Sequence, residues 1–488
     1  MTLATGETTN ELEAGVAADI AVQDKKAWLA SHDAGYHKAL GNRQIQMIAI
    51  GGAIGTGLFL GAGQRLQAVG PSLAIVYAVC GVLAFLVLRA LGELVMHRPS
   101  SGSFVSYARE FLGERASFVA GWLYFLNWAM TGIVDITAVA LYMEYWAMFA
   151  PVPQWVFALG ALVIVTSINL VSVKWFGEME FWFSLVKVAA LGIFLVVGTI
   201  IVGGSFSVAG HPTGLSLITE NGGLFPHGVL PALVLVQGVV FAYAGIELIG
   251  IAAGECKDAR EVLPRAINGV IWRIAFFYVG SVFLLVCLLP WSTYDARESP
   301  FVTFFAALGV PGIGGIMNVV VLTAAMSSLN SGLYSTGRVL RSLAMGGSAP
   351  NFLVKLNSHS VPLAGVMVTV SIYAFGVVLN YLTPSNVFEI VLNVSSLGII
   401  STWVFILVCQ LMLRRAIARG EAEPVTFRMP GAPFTTYAAL AFLAGVLVLM
   451  AFDYPNGTMS VAAIPMLALM LAGGWRLMHG SYREAEPG

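Results

Sequence analysis

The sequence predicts an all-α membrane protein of about twelve transmembrane helices, and three observations carry that expectation. Residues are 58% hydrophobic and only 10% charged, where a soluble domain carries about 25% charge. The apolar residues fall in long unbroken runs, and a run of about 18 or more crosses the hydrocarbon core as a helix. Basic residues collect in alternate connections between the runs, as cytoplasmic loops do.

The runs set the expected spans at 45–67, 72–96, 117–146, 155–173, 181–202, 233–253, 270–289, 313–333, 363–382, 387–413, 434–452 and 459–478. Residues 1–44 form a polar tail, disordered over 1–24 by composition, with no apolar stretch for a cleavable signal peptide. A second short tail, 480–488, ends the chain.

Orientation follows from the basic residues. The tail holds Lys25, Lys26, Lys38 and Arg43, and the connection after span two holds Arg98, Arg109 and Arg115. Lys257, Arg260 and Arg265 follow span six; Arg338, Arg341 and Lys355 follow span eight; Arg414, Arg415, Arg419 and Arg428 follow span ten. The opposite connections hold Arg65 and Arg297 alone. Both termini are therefore expected on the cytoplasmic side of the cytoplasmic (inner) membrane, which requires an even number of spans. Trp146, Trp155, Trp175 and Trp291 sit at span ends, as interface anchors do.

Several function classes drop out. Cys80, Cys256, Cys287 and Cys409 form no CxxC pair, so no disulfide framework or zinc site is expected. The histidines make no HExxH, and no nucleophile–base set is visible. The expectation is a non-enzyme with no cofactor, no metal and no nucleic-acid partner, whose surroundings are the lipid bilayer.

Two spans are irregular. The first reads QIQMIAIGGAIGTGLFLGAG, with Gly51, Gly52, Gly55 and Gly57 close together. Each glycine in a helix interior costs about 1 kcal/mol relative to alanine, so the cluster invites unwinding. Close helix packing is the competing reading, and no GK[ST] supports a phosphate loop. The sixth span reads LVLVQGVVFAYAGIELIGIAAGE, where Gly245 and Glu247 interrupt an apolar run. Paired breaks in corresponding positions of two halves point to a transporter's binding site. An unwound helix exposes N–H groups at one half-helix start and C=O groups at the other's end. The first suits a carboxylate and the second an ammonium, so two facing breaks read the backbone of a free amino acid.

GGAIGTGLF and FAYAGIE resemble the two discontinuous-helix motifs of the amino acid–polyamine–organocation superfamily. GYHKALGNRQIQMIAIGG, RPSSGSFVSYAREFLGE, NWAMTGIVDITAVALYM, MEFWF, ECKD, SSLNSGLY and AFDYPNGT extend the similarity from Gly35 to about Gly457, within the bacterial amino acid transporter family. The resemblance implies a LeuT-like inverted repeat of five plus five helices, with helices 1 and 6 discontinuous. The repeats would cover 45–203 and 233–413 of a transporter domain 45–479, with two extra helices in 434–479. It implies import of L-asparagine with protons by alternating access, with a permease for another neutral amino acid or an amino acid exchanger as the alternative; a monomer is expected. It places the substrate carboxylate on the backbone of Gly55, Thr56 and Gly57, and the ammonium at carbonyls of Ala53, Phe241 and Ala244, with Ala242 between them. Phe241 would gate the ligand, and Glu247 matches a carboxylate tied to gating or proton handling.

Polar residues inside the spans add candidates. Lys187 matches a fifth-helix lysine that stands in for a sodium ion in proton-coupled members of the fold; the alternative is a lysine snorkelling to the interface. Asp135 is a proton acceptor, a reader of a polar side chain, or a structural hydrogen-bond partner. Asn127 and Thr131 lie with Asp135 at helical spacing of four, a polar stripe for an amide side chain. Ser328 and Ser331 are picked as the coupling site near Lys187, and Asn393, Ser395 and Ser396 are further polar candidates.

Overall fold

The computed structural model describes residues 40–51, 54–295, 297–382, 387–454 and 456–483. Ala53 and nearly all of the N-terminal tail lie outside the described residues, as do the last residues of the C-terminal one. Among the described residues the structure is helical, with only isolated bridges and no strand. The helices are α1 (Asn42–Gly51), α2 (Thr56–Phe59), α3 (Gly61–Val69), α4 (Ser72–His97), α5 (Ser103–Leu112), α6 (Glu114–Glu144) and α7 (Gln154–Val171). They continue as α8 (Val173–Gly203), α9 (Ser216–Glu220), α10 (Val229–Val234), α11 (Val236–Ala242), α12 (Leu248–Ala253), α13 (Ala259–Arg273) and α14 (Ser281–Leu288). The last seven are α15 (Pro300–Ala307), α16 (Ile313–Met345), α17 (Leu363–Leu382), α18 (Val387–Ala418), α19 (Phe434–Met450), α20 (Asn456–Ala462) and α21 (Ile464–Arg483). A π-helical segment, Ile274–Gly280, joins α13 to α14.

Nine helical stretches among the described residues are long and apolar enough to cross a membrane. The sequence gives reason to expect about twelve, and the difference has a physical cause. The first and sixth expected segments arrive as pieces, α1 to α3 and α10 to α12, and α19 is a shorter apolar helix. The fifth span starts at Val173 rather than 181, because Ser172 caps it by accepting from the Trp175 backbone N–H at 3.3 Å.

The polarity of α8 is inverted relative to a soluble helix. Leu185, Val186, Ile193, Val196 and Ile200 are exposed, whereas Glu180, Ser184 and Lys187 are buried. An apolar face turned outward and charges turned inward is the arrangement a bilayer imposes.

Long helix α6, the most buried of the spans, packs against both α16 and α18. Side-chain bonds tie α16 to its neighbours at several levels. Asn318 Nδ2 donates to the Tyr142 carbonyl on α6 at 2.7 Å. Asn169 Nδ2 on α7 donates to Asn330 Oδ1 at 2.7 Å. At the far end Arg338 forms a buried ion pair with Glu255, which also accepts from Tyr334 OH at 3.0 Å. The Arg338 guanidinium lies 3.6 Å from the centre of the Tyr334 ring, which stacks on Phe176 with ring centres 3.8 Å apart.

That pair gives a stability prediction. Arg338→Met leaves Glu255 buried without its cation and should cost about 3–5 kcal/mol, whereas the double variant Arg338→Met/Glu255→Gln should recover most of the loss. Thermal unfolding of the detergent-solubilised protein checks this; a single variant as stable as wild type would remove the pair from the account of stability.

Candidate functional site

The first interruption lies between α1 and α2. Gly55 is extended (φ −133°, ψ −159°) and hands the chain to α2. Leu60 keeps a helical conformation (φ −106°, ψ −51°), so α2 runs almost directly into α3. The second interruption is the turn from Tyr243 to Glu247 between α11 and α12. Gly245 has φ +93° there, a conformation that side chains with a Cβ disfavour. Glu247 folds back on this turn and accepts from the Gly245 N–H at 3.2 Å.

The two interruptions touch. A Cβ built on Gly57 would stand 2.6 Å from Ala242 Cα and 3.1 Å from Phe241 Cδ1. Beside this contact is a small, partly enclosed cavity. Gly55, Thr56 and Gly57 form one wall, and Phe241, Ala242 and Ala244 a second. Trp128, Thr131 and Ser328 complete the lining. The Phe241 carbonyl, at the end of α11, accepts from the Ala244 N–H at 2.9 Å.

The structure thus gathers Gly55, Thr56, Gly57, Phe241, Ala242, Ala244 and Thr131 around one space. Asn127 stands one layer behind. Its Oδ1 accepts from Ser395 Oγ at 2.7 Å, Ser395 Oγ lies 2.7 Å from Thr131 Oγ1, and Asn127 Nδ2 is buried with no hydrogen-bond partner among the described residues. Trp128 is a lining residue that charge and glycine patterns do not reveal. The one signal for it is an aromatic ring in mid-span, away from the interface where tryptophan usually sits.

Behind the Thr56 wall lies a buried ionic cluster. Asp135 Oδ1 accepts from Thr56 Oγ1 at 2.9 Å, with Ser328 beside the same carboxyl. Lys187 is fully buried and donates to Ser327 Oγ at 2.9 Å, so its ammonium does not reach an interface. Ser327 is thus one partner of Lys187, whereas Ser328 faces the cavity and the Ser331 hydroxyl has no hydrogen-bond partner among the described residues. Ser327 Oγ in turn donates to Glu180 Oε1 at 2.7 Å. Glu247 stands apart, with the indoles of Trp128 and Trp403 beside its carboxylate.

Arg65 is also placed differently from a loop charge. It is buried, and its guanidinium donates to the Gly57 carbonyl at 3.2 Å, with Tyr77 OH 3.4 Å from the same oxygen. Its charge acts on Asp453, in the connection after α19, whose carboxyl burial holds above the usual range against the pull of Gly457 N–H, Gln237 and Arg65.

The amino acid permease family model matches residues 44–478. The L-asparagine permease of Salmonella typhimurium is 68% identical over 92% of this chain and 91% of its own length. That of Escherichia coli is 67% identical over 92% and 90%, and that of Streptomyces coelicolor is 57% identical over 91% of each. An interrupted pair of helices around a small cavity, in a chain matched almost end to end by that model, identifies a multi-pass membrane protein of the amino acid permease family.

Proposed function

We propose that this chain imports L-asparagine across the cytoplasmic membrane with protons, by alternating access about the cavity between the two interrupted helices. The observation that carries the reading is the meeting of Gly55–Gly57 with Phe241–Ala244 around one space. A helix start presents N–H groups and a helix end presents carbonyls, so the α-carboxylate and ammonium of an amino acid both find partners without a charged side chain. The names of the most similar relatives supply asparagine as the substrate. Its amide would meet Thr131, backed by Asn127 and Ser395, and Phe241 would close over it.

In this reading the chain forms twelve spans in a five-plus-five inverted repeat with two further helices, works as a monomer, and keeps both termini in the cytoplasm. The coupling machinery is the set Asp135, Lys187 and Glu247, with Ser328 between Asp135 and the cavity. Asp135 reaches the substrate wall through Thr56, which gives the proton-binding region a mechanical connection to the ligand. Binding favours closure to the extent that the closed state contacts the ligand better than the open one.

Reconstituted protein should accumulate labelled asparagine only when a proton gradient is imposed. Unlabelled asparagine should compete more strongly than other neutral amino acids. Uptake no faster than in empty vesicles would overturn the substrate, and accumulation that survives a collapsed gradient would overturn the coupling.

A further inference from the structure

A buried cation stands directly behind the cavity wall. Arg65 on α3 is 5% exposed, and its guanidinium reaches back along the helix to donate to the Gly57 carbonyl at 3.2 Å. Two glycines make room for it. A Cβ on Gly238 of α11 would stand 2.5 Å from Arg65 Nε and 2.7 Å from Nη2, and one on Gly61 would meet Nη1. Gly61 and Gly238 lie one helical turn from Gly57 and Ala242, the residues through which the two interruptions touch. The guanidinium therefore fills a slot between the interrupted helices, against a residue that lines the cavity.

Other buried cations face acids or lie elsewhere. Arg338 pairs with Glu255, and the charges of Glu180 and Asp135 act on Lys187. Arg109 and Arg341 bond backbone carbonyls of Ser342 and Val354 near the far end of α16. No carboxylate among the described residues lies within ion-pair distance of Arg65. Asp453, the acid its charge acts on, is held by Gln237 Nε2 instead. Arginine keeps its proton in proteins, and a buried charge without a partner is costly. A ligand carboxylate on the Gly55–Gly57 wall would supply the missing anion, with Gly57 between the two groups.

We propose that Arg65 is a specificity-determining residue: its charge, held at the Gly57 carbonyl, selects ligands with a free α-carboxylate. The inference rests on the amino acid site proposed above and adds a charge criterion to it. Backbone N–H groups donate to a carboxylate oxygen or to a neutral amide oxygen, so hydrogen bonds can seat both. Charge separates them. An amino acid is neutral overall, with its carboxylate turned toward Arg65 and its ammonium toward the carbonyls at Phe241 and Ala244. The α-amide of the same amino acid keeps the shape but carries a net positive charge, which Arg65 repels. A unit charge within about 10 Å at an effective dielectric of about 20 changes affinity about ten-fold.

Displacement of labelled asparagine from the purified protein tests this, with L-asparagine and L-asparagine α-amide as competitors at about pH 6, where an α-amino group is protonated. The readout is the ratio of the two affinities, because damage to the site weakens both ligands while loss of the charge acts on their difference. Wild type should prefer asparagine. Arg65→Gln should shrink that preference about ten-fold, and Arg65→Lys, which keeps the charge, should retain most of it. A wild-type ratio in Arg65→Gln, or the glutamine variant's ratio in Arg65→Lys, overturns the proposal even if both affinities fall. Wild type that fails to bind asparagine, or binds the α-amide equally well, overturns the amino acid site itself. If Arg65→Gln does not fold or no longer binds asparagine, Gly238→Ala decides, because its methyl displaces the guanidinium from the Gly57 carbonyl: a smaller ratio supports the charge criterion, and an unchanged one overturns it.

Discussion

Gly57→Val should abolish asparagine uptake while the protein still inserts into the membrane. A Cβ at this position would lie 2.6 Å from Ala242 Cα and 3.1 Å from Ala242 N. Both are backbone atoms, so no side-chain rotation relieves the clash. The two interrupted helices must then separate, and the walls that hold a carboxylate and an ammonium separate with them. Overpacking of a tight contact costs about 1–3 kcal/mol, too little to unfold a bundle with this much buried surface but enough to displace the site. Gly55 is the internal control. Its Cβ would stand 3.6 Å from Ser328 Cβ, an ordinary contact, and its φ of −133° is open to any residue. Gly55→Ala should therefore reduce uptake far less than Gly57→Val. Membrane abundance by immunoblot and initial uptake rates, measured together, check both; normal uptake by Gly57→Val would show that the contact between the breaks is dispensable.

Lys187→Ala should remove gradient-driven accumulation, a loss of about fifty-fold at about 100 mV. The substitution leaves Asp135 and Glu180 buried with no cation acting on them from α8. An uncompensated charge of that kind costs about 3–5 kcal/mol, so a stability loss should accompany the transport loss. The double variant Lys187→Ala/Glu180→Gln separates the two effects. It should regain stability, because one orphaned carboxylate is gone, and still fail to accumulate asparagine. Thermal unfolding and proteoliposome uptake of the three proteins make the comparison. Restored accumulation in the double variant would show that Lys187 acts only by balancing Glu180.

Much of the architecture was legible in the chain, because the bilayer imposes long apolar runs and the runs are unbroken. The interruptions were legible for a different reason: Gly51, Gly52, Gly55 and Gly57 on one span and Gly245 with Glu247 on another are poor helix formers with no business in a plain membrane helix. Facing direction was not legible. Ser327 and Ser328 are neighbours, yet about 100° of helix rotation turns one toward Lys187 and the other toward the cavity. Nothing in a run of small polar residues fixes that angle; the packing of α16 against α6 and α8 does. Arg65 shows the same limit. Its place near a span end suggested a loop charge, but the interrupted backbone beside it offers the Gly57 carbonyl, and a guanidinium buries itself to reach it. Trp128 was hidden because an aromatic ring in an apolar run carries no pattern of its own.

The side-chain ties along α16 limit how this molecule can change shape. Asn318, Ser327 and Asn330 fasten one helix at successive heights to three different neighbours, α6, α8 and α7. A rod pinned at three heights from three directions can neither slide nor spin. Only the last fastening, Arg338 to Glu255, reaches a segment that follows an interrupted helix. Rearrangement at that end therefore means the short arm beyond Gly245 swinging away from a stationary post, and the Arg338 ion pair together with the Tyr334 hydrogen bond to Glu255 sets the threshold for letting go.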